Sequence, residues 1–70
     1  MSDTYNKHNV QLLQAVFDTG LDLVQASMEY RRCYETHGGG NIHTGRAWDV
    51  LIRAETAYLD AMTKLEAKTR

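Results

Sequence analysis

Proline is absent from this chain, and with it the strongest breaker of a helix interior. Cysteine occurs once, at Cys33, so no internal disulfide can staple the fold, and no paired Cys/His spacing of a structural zinc module is present. A single free thiol suits a reducing compartment. Long apolar runs are missing as well. The longest are three residues, such as Ala15-Val16-Phe17 and Val50-Leu51-Ile52, whereas a membrane span needs about eighteen. The opening residues Met1-Ser2-Asp3-Thr4-Tyr5-Asn6 show no basic region leading into an apolar stretch, so no secretory signal is expected and a cytoplasmic protein is the default.

Charge of one sign is also lacking. Eight Lys/Arg stand against nine Asp/Glu, a net charge of −1. Residues 1–37 hold five acids and three bases, and residues 41–70 hold four acids and five bases. Neither half has the positive field that non-specific phosphate binding requires. At 70 residues the chain makes at most one domain, and a core of that size is marginal without a staple or a partner. Self-association is the expected source of the missing stability.

What is present is helical periodicity. From about Asn6 to His37, Val10, Leu13, Phe17, Leu21, Val24 and Met28 recur at steps of three and four, one face of an α-helix. A neighbouring ridge carries Leu12, Val16, Leu23, Tyr30 and Tyr34, and Gln11, Asp18, Asp22, Gln25 and Glu29 fall on the opposite side. Gly20 interrupts the helix at a cost of about 1 kcal/mol relative to alanine; close approach of another helix, or a flexible spot, would account for it. Gly38-Gly39-Gly40 then breaks the chain, with Gly38 suited to the left-handed position that closes helices and His37 to the negative end of the dipole. A second helix is expected over about 44–68, capped by Thr44. Its seam is Ala47, Leu51, Ala54, Tyr58, Ala61 and Leu65, a heptad-like spacing, and Asp49–Arg53 and Asp60–Lys64 are acid-first i,i+4 pairs. The expected fold is therefore all-α: an antiparallel two-helix hairpin with a turn over 38–43.

The apolar arcs are wider than a hairpin can use. In the second helix Trp48, Ile52, Leu59 and Met62 extend the seam on one side, with Val50 and Ala57 on the other. A helix with one neighbour buries a stripe of about 100° or slightly more. The excess would form a large exposed apolar patch, and the simplest closure is a two-fold dimer making a four-helix bundle. Phe17, Leu21, Val24, Leu51, Tyr58 and Leu65 are the expected core or dimer residues. Arg31 and Glu55 sit within apolar arcs and, with facing residue numbers totalling roughly 81, would stand about one turn apart.

Residues that could carry chemistry are few. Cys33, His37 and His43 are ligand types that zinc accepts, but no fourth ligand is evident, and no third group orients a Cys/His nucleophile. The glycine run lacks the lysine and hydroxyl of a phosphate loop. No catalytic residue, metal or cofactor is expected. Tyr30, Arg32, Tyr34, Arg46 and Trp48 gather near the loop end, and Tyr, Trp and Arg dominate protein-binding hot spots. The expected function is a non-enzymatic, homodimeric regulator or inhibitor that binds itself and a larger protein. Size and class associate such chains with bacteria and their phages. A small transcriptional regulator or nucleic-acid-associated dimer is the alternative; interleaved Glu29, Glu35 and Asp49 dilute the basic field it would need.

Overall fold

A computed structural model describes residues 7–69. Two helices, α1 (Lys7–His37) and α2 (Ile42–Thr69), fold back on one another as an antiparallel hairpin about 53 Å long and 15 by 13 Å across. The expected start of α1 at Asn6 lies outside the described residues. Among those residues no helix is long and apolar enough to cross a membrane.

The turn is built by side chains. α1 ends on Gly38, whose φ of +83° is the left-handed region. The Gly38 N–H reaches back to the Tyr34 carbonyl at 2.8 Å, the single bond of the αL cap. α2 begins two residues earlier than the spacing suggests, because Asn41, not Thr44, is its cap. The Asn41 Oδ1 accepts the His43 N–H at 2.8 Å, and its carbonyl accepts the Gly45 N–H at 3.0 Å. Thr44 instead lies inside the first turn, 2% exposed, and its hydroxyl donates across the hairpin to the Gly38 carbonyl at 2.7 Å, with the Cys33 carbonyl at 3.2 Å. It ties the open carbonyls at the end of α1 to the start of α2. Thr44→Val keeps the shape and removes the donor. It is expected to cost about 1–3 kcal/mol in a urea titration, with Thr44→Ser retaining most of the stability; equal midpoints for wild type and Thr44→Val would remove this role.

α2 meets α1 along Thr44, Ala47, Leu51, Ala54, Tyr58, Ala61 and Leu65, all buried or half-buried. α1 answers with Leu12, Val16, Thr19, Leu23, Ala26, Tyr30 and Cys33, also buried or half-buried. Both lines step by alternating threes and fours, the knobs-into-holes spacing. Fully buried apolar side chains are small: Ala26, Ala47 and Ala61. Small residues let the helix axes approach closely, and Gly20 serves the same end. A Cβ there would stand 3.3 Å from the Tyr58 ring, so of the two accounts of Gly20, close approach is the observed one.

Phe17, Leu21 and Val24 are not in the hairpin core. With Val10, Leu13 and Met28 they form an exposed outer face of α1, Phe17 at 65%. The ridge beginning at Leu12 won the contact because it sets Ala26 and Gly20 against α2, which the bulkier line through Phe17 cannot match. Leu51, Tyr58 and Leu65 lie in the seam, half-buried. The register also differs from expectation. Gly20 faces Tyr58, Tyr30 faces Trp48 and Cys33 faces Thr44, so facing numbers total 78, 78 and 77, because the turn is shorter. Glu55 is then level with Leu23, eight residues from Arg31 and about 12 Å along the axis. Both side chains are exposed and do not pair. Asp60 and Lys64 pair at 3.1 Å, whereas Asp49 and Arg53 do not; either way an exposed pair contributes little.

Candidate interaction surface

The two long sides of the hairpin differ in chemistry. At 100° per residue, shifting each seam by one residue gives the side chains on one common side. On α1 these are Leu13, Phe17, Gly20, Val24, Ser27, Arg31 and Tyr34. On α2 they are Gly45, Trp48, Ile52, Glu55, Leu59 and Met62. This side is apolar through its middle, and Leu13, Phe17, Val24, Trp48, Ile52 and Leu59 are all exposed on it. The opposite side is mixed: Asp22, Gln25 and Glu29 of α1 and Arg53 of α2 line a shallow groove, with Val50 and Ala57 of α2 between them.

Toward the loop end the apolar side becomes aromatic. The Tyr30 and Trp48 rings meet across the helix seam with centroids 5.2 Å apart at 57°. Tyr34 stands 6.1 Å from Tyr30 at 50°. Such tilted pairs add about 0.5–1.5 kcal/mol each beyond the area they bury. Tyr34 lies over Gly39, where a Cβ would come within 3.0 Å of its ring. An open groove of about 600 Å³ runs along the Tyr30 and Tyr34 rings, bounded by Ser27, Arg31, Glu35 and Leu51.

The five residues singled out near the loop end therefore divide. Tyr30, Tyr34 and Trp48 form one aromatic row, in which Tyr34 and Trp48 are exposed and Tyr30 is half-buried. Arg32 and Arg46 stand on the other side of the hairpin. Arg32 pairs with Glu29 at 2.9 Å, and Arg46 lines a groove with Glu29, Cys33 and His43. Arg31, which spacing alone associates with Glu55, is the cation that borders the aromatic row. Ser27 and Gly45 were not picked out by periodicity, because neither is apolar; only their place one residue off the seam brings them to this side.

The polar loop-end cluster is arranged differently from a ligand set. The His37 and His43 rings lie 5.1 Å apart across the turn, while the Cys33 thiol donates to Glu29 Oε2 at 3.6 Å. Desolvation and then the Glu29 carboxylate push the Cys33 thiol above its ordinary pKa. Among the described residues no group of three His, Cys, Asp or Glu side chains is placed to hold a metal ion. No protein-family model matches this chain, and neither a curated protein nor a solved structure matches it.

Proposed function

We propose that this chain is a non-enzymatic protein-interaction module: a homodimeric four-helix bundle that regulates or inhibits a larger protein through the aromatic row at its loop end. One observation carries the reading. The hairpin satisfies one seam, yet leaves a second, contiguous apolar side exposed along its length, with Phe17, Val24, Trp48, Ile52 and Leu59 in water. Isolated exposed apolar side chains are ordinary, but a continuous side of them is the mark of an interface. The small alanine core points the same way, since so little buried volume stabilises a 70-residue chain weakly. A second copy covers the middle of the apolar side. Tyr30 and Tyr34, with Arg31 beside them, have the composition of a hot spot for a further protein; Arg32 and Arg46, on the opposite side, would contribute at its margin.

The test has two readouts. Sedimentation equilibrium at micromolar concentration is expected to give twice the 8.0 kDa chain mass. The immobilised chain is expected to retain a partner protein from a cell extract that Tyr34→Ala releases, by about 1 kcal/mol or more, and that Asp18→Asn and Asp22→Asn still hold. A monomer with a cooperative melt removes the bundle. Retention lost with the aspartate variants and kept with Tyr34→Ala moves the site to the opposite side.

A further inference from the structure

We infer that His37 and His43 together hold a zinc ion at the turn, a two-imidazole clip between the last turn of α1 and the first turn of α2. Cys33, His37 and His43 do not form one ligand set, but the two histidines do without the thiol, which is turned to Glu29. The site is independent of the dimer and of the aromatic row.

The backbone brings the two histidines together. His37 is the last residue of α1 and His43 the second residue of α2, and Gly38, in the left-handed region, reverses the chain between them. The reversal is held by the Gly38 N–H on the Tyr34 carbonyl, the Thr44 hydroxyl on the Gly38 carbonyl and the His43 N–H on Asn41 Oδ1. The rings stand 5.1 Å apart at 35°. Both histidines are exposed, and Gly39 and Gly40 carry no side chains to cover them. Neither imidazole makes a hydrogen bond to any described residue, so neither ring is tied away from a shared ion.

The separation is the one that zinc requires. A zinc–nitrogen bond of about 2.0–2.1 Å places the metal about 3.2 Å from the centre of an imidazole ring. Two such rings at a tetrahedral angle of about 109° stand about 5.2 Å apart, against the 5.1 Å observed. Adjacent positions of a square-planar ion, at about 90°, would draw them in to about 4.5 Å, so the spacing favours zinc over copper(II) or nickel(II). Among the described residues no group of three His, Cys, Asp or Glu side chains is placed to hold a metal, so the remaining positions face solvent and take water. Arg46, in the groove beside His43, opposes a cation, and Glu29 in the same groove favours it. The chain has a use for such a clip. It has no disulfide, and its fully buried apolar side chains are three alanines, the situation in which small scaffolds are stapled by a metal. An ion that needs both helix ends in place stabilises the hairpin by mass action.

Calorimetric titration of the full chain with zinc chloride at neutral pH tests this directly, and is expected to show one ion per chain. His37→Gln and His43→Gln, at exposed positions and checked for unchanged helicity by circular dichroism, are each expected to weaken binding. Losing a ligand costs at least what losing a ligand's orienting partner does, about tenfold or more. Cys33→Ser and His8→Gln are expected to bind as the wild type does, and magnesium is expected not to bind. Zinc at about a hundredfold its dissociation constant is expected to raise the wild-type melting temperature by about ten degrees or more. Each of the His37 and His43 variants, at the same zinc concentration, is expected to gain about half that shift or less. Binding that survives both histidine substitutions, or that is lost with Cys33→Ser or His8→Gln instead, would overturn the site. So would binding with no rise in melting temperature, the behaviour of an adventitious ion only, or no binding at millimolar zinc.

Discussion

Phe17→Asp is expected to halve the sedimenting mass and to lower the melting temperature sharply, although Phe17 lies outside the line that joins the two helices. In the isolated hairpin this side chain is 65% exposed, and exposed substitutions ordinarily change stability by no more than about 0.5 kcal/mol. A second copy changes that. Burying a phenylalanine contributes about 1.5–3 kcal/mol, and a two-fold interface counts the residue twice. An aspartate in its place adds the cost of desolvating an unpaired carboxylate. A combined loss of about 4 kcal/mol or more per dimer weakens association by roughly a thousandfold, enough to dissociate a micromolar dimer. Because the alanine core is small, the released hairpin melts early. Asp22→Ala, on the opposite side, is the control and leaves mass and melt unchanged. A Phe17→Asp chain that sediments and melts like the wild type would show that the outer face of α1 is solvated in solution.

Leu51→Ala is expected to have the second-largest effect, and for a different reason. Leu51 lies half-buried in the line that joins the helices, between Ala47 and Ala54. Its neighbours are already small, so they cannot move in to fill the space it vacates. Large-to-small changes at such positions cost about 2–5 kcal/mol, and partial exposure places this one toward the lower end. That is a large fraction of what a domain of this size has to lose. Thermal melts by circular dichroism are expected to show the transition displaced by ten degrees or more, or no folded baseline at all. Since the loss occurs within each hairpin, raising the protein concentration restores the Phe17 variant by mass action but restores Leu51→Ala only in part. The two substitutions thereby separate the intramolecular seam from the outer face. A Leu51→Ala chain with an unshifted melt would mean that α2 presents a different line to α1.

The sequence by itself determined that two helices form and where they part. With no proline between Lys7 and His37, apolar residues every three or four positions and three glycines in succession, local energetics leave no competing arrangement. The seam of α2 was legible for the same reason: alanines alternating with Leu51, Tyr58 and Leu65 make one narrow line. On α1 the apolar residues cover about half the circumference, so periodicity offers two usable lines, and it names the bulkier one through Phe17. Only the tertiary structure decided between them, because the choice depends on the other helix. Tyr58 needs Gly20 opposite it, and close axes need Ala26 against the alanines of α2. The capping of α2 was undecidable for a related reason. Asn41 and Thr44 are both good caps in isolation, and Thr44 is drawn inward by carbonyls of α1 that no local reading of α2 contains. A turn two residues shorter followed, and it moved the register by three, taking Glu55 out of reach of Arg31 and setting Trp48 against Tyr30. Spacing along a chain fixes which faces exist; which faces meet is a property of two surfaces at once.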